Sequence, residues 1–170
     1  ALPDIVGVAS SSIVQLTNNG GMLFTPSTVA SGLNNPCCVS GRDMDGDGDT
    51  DLALGSDSTS LNSVSTFLNN GVCGFGTGVA ISPVGGTGNV VEFANMDNDL
   101  LTDLVVSHLS TSSVSVLWRG PTGIYTLGPT VGVGAQPNHL TVADLDNDGD
   151  QDIVTINATS FSVIRNLAPP

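Results

Sequence analysis

The segment DMDGDGDTDLAL, residues 43–54, carries the strongest structural signal in this chain. It has an aspartate at every second position over nine residues and then continues directly into an apolar stretch. Similar segments occur at residues 95–106, NMDNDLLTDLVV, and at residues 144–155, DLDNDGDQDIVT. The last aspartates of these segments, together with Asp4 in PDIVGV, recur at intervals of 47, 52 and 49 residues. The sequence is therefore an internal repeat, in which one supersecondary unit is used several times.

Two further features keep the same period. The triplet NNG at residues 18–20 recurs at residues 69–71, and the aromatic residues Phe24, Phe75 and Tyr125 are 51 and 50 residues apart. Such a period indicates units that stack on one another, because a single unit of this size cannot bury its apolar face alone.

The charge of the chain is concentrated in the acidic segments. The 170 residues include no lysine and three arginines against sixteen acidic residues, which gives a net charge of −13. Nucleic acid and anionic membranes are poor partners for such a chain, because binding to phosphates requires a basic face. No apolar run approaches the roughly 20 residues needed to span a bilayer, so membrane insertion is not expected.

The local signals in every unit are those of β-strands. Short stretches rich in Val, Ile, Leu, Ser and Thr, such as TDLVVS and SVSVLW, are separated by Gly, Pro and Asn turns. No window keeps a helical apolar period. The sequence predicts an all-β fold of four-stranded antiparallel β-propeller blades. Strand A precedes the acidic segment, strand B follows it, strand C ends at the NNG turn, and strand D begins at the aromatic residue.

The predicted strand order is B-C-D, A-B-C-D, A-B-C-D and A-B-C, which makes about three and a half blades in a single repeat domain, residues 1–170. The predicted units are a partial blade at 1–35, blades at 36–86 and 87–136, and a partial blade at 137–170. These strands are too few to close a typical propeller of this kind. We therefore expect the end blades to be completed either by the rest of a longer propeller or by neighbouring chains.

The acidic segments contain the residue types of a site for a hard cation. Aspartates at positions 1, 3, 5 and 9 of a tight loop, with the carbonyl of position 7, form an oxygen cage, and glycine at position 6 permits the sharp turn. Calcium is the default ion, because the loops at 43–51, 95–103 and 144–152 contain no His or Cys. The alternative is that these are solvated turns. Three copies in register argue against that alternative.

These residues resemble the FG-GAP or VCBS-type repeats of integrin α-like β-propellers. The resemblance covers nearly the whole chain and is carried by the pattern DxDGDxxxD before an apolar strand, as at 43–54 and, with Asn147 in place of the first glycine, at 144–155. The NNG turn followed by an aromatic residue also matches. Residues 55–57 depart from the family by reading Gly-Ser-Asp instead of Gly-Ala-Pro. The middle loop departs by having Asn95 at position 1 and Leu100 where glycine is usual, so we expect its site to be weaker.

The resemblance implies about three calcium sites, each with ligands at positions 1, 3, 5, 7 and 9 of a loop, position 7 contributing its backbone carbonyl. In the first loop these residues are Asp43, Asp45, Asp47, Asp49 and Asp51. In the middle loop they are Asn95, Asp97, Asp99, Leu101 and Asp103. In the last loop they are Asp144, Asp146, Asp148, Asp150 and Asp152.

No catalytic arrangement is recognisable, and the chain is predicted not to be an enzyme. His108 and His139 lie in strand contexts without a nucleophile pattern nearby, and the carboxylate pairs belong to the acidic loops. The three cysteines, at 37, 38 and 73, form no metal or redox motif and allow at most one bridge within the chain. Trp118 is interpreted as an outward-facing residue, which makes it a candidate contact for a sugar or a protein.

The favoured function is a calcium-stabilised extracellular β-propeller segment for binding or adhesion, whose partner is an extracellular protein or a glycan. One alternative is the structural subunit of a surface filament or homopolymer, assembled by self-association of the incomplete end blades. A second alternative is a carbohydrate-binding propeller lectin, which would need a recurring aromatic pocket. Weak calcium sites remain filled only outside the cell, so a secreted or cell-surface location is expected. The sequon that begins at Asn157 agrees with that location.

Overall fold

The computed structural model describes residues 2–57, 64–72, 74–81 and 86–167, and Cys73 lies outside these ranges. The described residues form fourteen β-strands and no helix. The strands are β1 Ile5–Ala9, β2 Ser12–Asn18, β3 Phe24–Ser31, β4 Pro36–Arg42, β5 Asp51–Ser56, β6 Val64–Phe67, β7 Val79–Ile81, β8 Gly88–Ala94, β9 Asp103–His108, β10 Ser113–Arg119, β11 Tyr125–Gly132, β12 His139–Ala143, β13 Asp152–Ile156 and β14 Phe161–Ile164.

Consecutive strands pair in antiparallel fashion and form four units. The first unit is β1 to β3, the second β4 to β7, the third β8 to β11 and the fourth β12 to β14. One bridging pair, Ser56 with Gly88, connects the second unit to the third. The predicted all-β fold of partial propeller blades, with three strands in each end unit and four in each middle unit, is therefore confirmed. The described sheets do not close into a ring.

The strands that precede the acidic loops adjoin one another. Both β4 and β12 lie beside β8, and the Ser40 Oγ on β4 donates a hydrogen bond to Glu92 Oε2 on β8 at 3.0 Å. All three acidic loops follow directly after these strands, so the stacking of the units brings the loops to the same end of neighbouring sheets.

The units pack face to face, because the strand after each acidic loop is buried on both sides. Every residue of β5 and of β9 is buried. Successive side chains of a strand point to opposite faces, and the cores follow that alternation. Leu52 joins a core with Ile13 of the first unit, whereas its neighbour Ala53 joins a core with Leu104 of the third unit.

The same alternation continues into the fourth unit. Val105, next to Leu104 on β9, packs in a core with Leu140 and Ile153. Three apolar cores therefore lie between the four units, and each middle sheet contributes side chains to two of them. This arrangement explains why the apolar strands of the sequence show near-continuous rather than alternating hydrophobicity.

One strand begins later than predicted. Strand D of the second unit was expected to begin at Phe75, as β3 begins at Phe24 and β11 at Tyr125, but β7 begins at Val79. Phe75 makes only an isolated bridge with Asn69, and its ring packs against the core between the first two units. The glycines at 76 and 78 explain the delay, because glycine has no side chain to stabilise a strand.

A buried histidine makes the stability of the third unit dependent on pH. His108 is fully buried, and its Nε2 lies 2.9 Å from Ser115 Oγ. Burial lowers the pKa of His108 below its ordinary value of 6.5. The folded state therefore binds the proton less tightly than the unfolded state, so stability is complete above pH 6.5 and is lost as the pH falls below that value.

We expect the urea midpoint of unfolding to fall between about pH 7 and pH 5.5 in saturating calcium, and the variant His108→Gln to lose that dependence. Glutamine keeps a polar end for Ser115 but carries no titratable group. Equal slopes in the two proteins would contradict the assignment, whatever the absolute stability of the variant.

Candidate metal sites

Each acidic loop ends at a completely buried aspartate. Asp51, Asp103 and Asp152 have no exposed surface. In each case Oδ2 accepts a hydrogen bond from the backbone amide of loop position 2, and the donors are Met44 at 2.9 Å, Met96 at 2.9 Å and Leu145 at 3.1 Å. This bond closes the loop on its own last residue.

The second oxygen of the same carboxylate holds the end of strand C. Oδ1 of the three aspartates accepts from the backbone amides of Asn69 at 2.8 Å, Arg119 at 2.9 Å and Asn166 at 2.8 Å. In the first unit, Asp4 Oδ1 accepts from the amide of Asn18 at 2.8 Å in the same way. In the last three units the aspartate therefore joins three separate parts, the start of the loop, the start of strand B and the end of strand C, and in the first unit Asp4 joins the last two of these.

These contacts correct the interpretation of Trp118. The residue of the third unit that corresponds to Asn18 and Asn69 is Arg119, so Trp118 faces the other side of β10. It is half-buried and packs against the core between the third and fourth units. There it lines an apolar groove of about 240 Å³ together with Met96, Val131 and Ile164.

The first loop is held in shape by its own carboxylates. Asp43 accepts from the amides of Gly46 at 2.8 Å and Gly48 at 3.0 Å. Asp45 accepts from the amide of Asp47 at 3.3 Å, and Asp47 from that of Asp49 at 2.9 Å. Gly48, at position 6, has a φ of 93°, a conformation that side chains disfavour. The loop is therefore preformed with its carboxylates drawn inward.

The last loop repeats this arrangement. Asp144 accepts from the amides of Asn147 at 2.7 Å and Gly149 at 3.1 Å, and Asp148 accepts from that of Asp150 at 3.0 Å. Gly149 has a φ of 96°. Arg165 forms an exposed ion pair with Asp146 at 3.1 Å.

The middle loop differs at the two positions identified in the sequence. Leu100 takes the place of glycine with a φ of 70°, although its side chain is 90% exposed. Asn95 Oδ1, at position 1, is buried and lacks a hydrogen-bond partner. A buried acceptor without a donor is costly, and a cation in the loop would satisfy it.

The middle and last loops also touch each other. The backbone amide of Asn95 donates to Gln151 Oε1 at 2.9 Å, and Asn98 Nδ2 donates to Asp150 Oδ1 at 2.5 Å. The Asp150 side chain therefore contacts the neighbouring loop, which is compatible with the prediction that only its carbonyl faces an ion. Asp49 points away from its loop as well, since its carboxylate lies beside Gly71 of the next turn.

The structure brings together some of the predicted ligands. Carboxylate oxygens of Asp43, Asp45 and Asp51 lie within 4.8 Å of one another, and so do those of Asp144, Asp146 and Asp148. The third member of the first group is the buried Asp51, at position 9 of its loop. The third member of the last group is Asp148, at position 5, and the buried Asp152 is not part of that group. The involvement of the remaining predicted ligands stays a prediction.

The electrostatics of the first loop fit a divalent cation. The pKa of Asp45 is raised, first by partial burial and then by repulsion from Asp51, Asp47 and Asp43. In the middle loop the pKa of Asp103 is raised by burial and by the charges of Asp97 and Asp99, although two backbone amides oppose the shift. Sites that consist only of oxygen donors favour calcium or magnesium over zinc or copper. These residues therefore fit a hard divalent ion.

The sequon that begins at Asn157 is not displayed for glycosylation. The Asn157 side chain is only 5% exposed, and its Nδ2 donates to Ser160 Oγ at 3.2 Å and to Ser162 Oγ at 3.0 Å. The sequon therefore no longer supports an extracellular location. Sequence reasoning missed this contact because the serines that hold the amide come from the following turn and strand.

A comparison with curated proteins finds no match. The structure describes no helix that is long and apolar enough to cross a membrane. The profile of the FG-GAP-like repeat matches twice, at residues 43–106 and 95–155. Each match begins at position 1 of one acidic loop and ends in strand B after the next loop. The two matches together span well over half of the 170 residues and contain all three loops. This chain therefore belongs to the family of FG-GAP-like repeat proteins.

Proposed function

We propose that this chain is a calcium-stabilised segment of a β-propeller that acts outside the cell as a non-enzymatic binding or adhesion module. The observation that carries this proposal is the repeated, preformed acidic loop. Its carboxylates converge within 4.8 Å in the first and last loops, and FG-GAP-like repeats often bind calcium. FG-GAP-like repeats are also typically extracellular.

The ion would be held by the carboxylates at positions 1, 3 and 5, with further oxygens from positions 7 and 9. When bound, calcium supplies positive charge that replaces repulsion between carboxylates by attraction. Close pairs of like charges cost roughly 1 to 4 kcal/mol, depending on how well water and salt screen them. The protein's own part is to hold the loop closed on its buried aspartate, so that little ordering is needed when the ion binds.

The position of the loops explains why an ion would stabilise the whole segment. Position 2 of each loop has an apolar side chain, and Met44 and Met96 are buried in the cores between units. An ion that fixes the loop therefore also fixes a side chain of the next interface. At about 1 mM calcium, an extracellular site with a Kd of roughly 0.1 to 1 mM contributes about 0.4 to 1.4 kcal/mol.

Among the described residues, no aromatic pocket for a sugar recurs from one unit to the next. Trp118 is half-buried and stands in one unit, whereas a propeller lectin would be expected to repeat its sugar contact. His108, the histidine in the third unit, is buried and held by Ser115. In this proposal the module binds an extracellular protein or glycan through its surface, and it does not act as an enzyme.

Removal of calcium is expected to lower the melting temperature by about 2 to 4 °C for each kcal/mol lost. The variant Asp45→Asn should reduce the difference between calcium and chelator, because the first loop loses a ligand and a repelling charge. Asp57→Asn is the matched control, since Asp57 is an exposed acid outside the loops. Differential scanning calorimetry with calcium and with chelator measures both. Identical melting curves in calcium and chelator would reject the proposed metal function.

The buried aspartates should behave differently from the exposed ligands. We expect Asp51→Asn to lower stability in chelator as well as in calcium, because its oxygens hold the amides of Met44 and Asn69. An isosteric amide can accept only one of these two bonds with its oxygen, so the loss is roughly 1 to 3 kcal/mol. Urea denaturation with and without calcium separates the two roles. A loss seen only in calcium would show that Asp51 acts as a ligand alone.

Two substitutions test the weaker middle loop. Leu100→Gly should raise stability by about 1 kcal/mol in calcium and in chelator alike, because it relieves the left-handed backbone at this residue. Asn95→Asp should raise stability only in calcium and lower it in chelator, because it adds a partly buried charge to the loop. Calcium titration by calorimetry should show a tighter middle site for Asn95→Asp. A gain for this variant in chelator would contradict the presence of an ion site there.

A further inference from the structure

The four sheets of this chain bury the same repeat position at every internal interface. The first residue after the buried aspartate is Leu52, Leu104 or Ile153, and these side chains are 2%, 0% and 3% exposed. Each packs against the preceding unit. The corresponding residue of the first unit, Ile5, is 51% exposed. We call the side of β1 and β2 that carries Ile5, Val14 and Leu16 the leading face.

The opposite side of the fourth sheet shows the converse. The fourth residue after the aspartate lies on strand B and pairs with one residue of strand C. In the first three units that strand C residue is Ile13, Val64 or Val114, and these side chains are 0%, 0% and 2% exposed. Phe161 is the corresponding residue of the fourth unit, pairs with Ile156, and is 72% exposed. We call the side that carries Val154, Ile156, Phe161 and Val163 the trailing face.

Position 2 of the acidic loop follows the same rule. Met44 and Met96, which lie in the cores between units, are each 6% exposed. Leu145, the corresponding residue of the last loop, is 48% exposed, and no further sheet follows it among the described residues. Two independent positions of the repeat are thus buried at the internal interfaces and open at the trailing face, and a third position is open at the leading face.

Neither face carries a charged residue at these positions, although the chain has a net charge of −13. The side chains on the leading face alternate with those that pack on the second unit, and the register of β1 with β2 places Ile5 opposite Leu16 and Gly7 opposite Val14. The register of β13 with β14 places Val154 opposite Val163. Two such apolar faces can approach closely because the acids lie in the loops at the end of the sheets.

We propose that the leading face of one copy of this chain packs against the trailing face of a second copy and repeats the interface that the chain forms three times within itself. A partner that packs on one face needs the apolar positions that the neighbouring unit supplies at the internal interfaces. The opposite face of a second copy has these positions. The two faces of a single copy do not meet, because the described sheets do not close into a ring. The interface is therefore heterologous.

Two copies joined in this way would stack eight sheets, a number within the range of closed propellers. If the rotation between sheets closes the ring, the product is a pair of chains with two such interfaces. If the rotation does not close, the same contact adds chains in one direction and forms a filament. Both products contain the same junction between a leading face and a trailing face.

The first measurement is the mass of the 17.1 kDa chain by light scattering and sedimentation over a range of concentrations in millimolar calcium. We expect a mass of at least two chains, increasing with concentration if the association is open. A mass of one chain at all concentrations would assign the faces to other parts of the polypeptide and overturn the proposal.

Single substitutions then identify the faces. Ile5→Asp on the leading face and Ile156→Asp on the trailing face should each convert the assembly to single chains, because every junction uses both faces. Both residues are more than half exposed, at 51% and 54%, so the fold of the single chain should survive. Val79→Asp is the matched control, since Val79 is 64% exposed on an outer strand of the second unit. It should leave the mass unchanged.

A mixture of Ile5→Asp and Ile156→Asp chains gives the decisive result. The Ile156→Asp chains keep an intact leading face, and the Ile5→Asp chains keep an intact trailing face. We therefore expect pairs that contain one chain of each kind, and nothing larger. Circular dichroism of each variant should match that of the parent chain. If Ile5→Asp left the assembly unchanged, or if mixing produced no pairs, the head-to-tail contact would be wrong.

Discussion

The structure depends on one buried carboxylate in each of the last three units. Asp51, Asp103 and Asp152 are completely buried, and each joins the start of its acidic loop to the end of strand C through two backbone amides. A buried charge is tolerated only when hydrogen bonds or an ion compensate for its lost hydration. The backbone supplies the bonds, and the loop that it closes supplies the carboxylates of the candidate ion site. In the first loop, local folding and the proposed metal binding therefore share one residue, Asp51.

This sharing connects the chemistry of the loop to the packing of the sheets. Asp51 is both an acceptor for two amides and a member of the carboxylate group with Asp43 and Asp45. The apolar residue at position 2 of the loop lies in the core between units. Each loop thus stands between two sheets, and an ion would act on their contact as well as on the loop. The contacts of Asn95 and Asn98 with the last loop extend this connection from one unit to the next.

The unit can be repeated because its two faces are complementary. The first residue of strand B packs on the preceding sheet, and the next residue packs on the following sheet, as Leu104 and Val105 do. This alternation requires that each sheet be covered on both sides. It explains both the burial of β5 and β9 and the exposure of Ile5 and Phe161 at the ends of the stack. Within the chain, only the second and third units have a described sheet on both sides.

The sequence by itself determined the period, the β class, the strand order and the place of the acidic loops, because these follow from local residue spacing and turn chemistry. It also identified Asn95 and Leu100 as departures. Only the tertiary structure decided which carboxylates converge, that Asn157 is buried and that Trp118 faces a core. It also showed that Phe75 packs without starting a strand. The reason is physical: spacing along a chain fixes which residues can share a loop or a face, but burial depends on what the neighbouring sheet places against them.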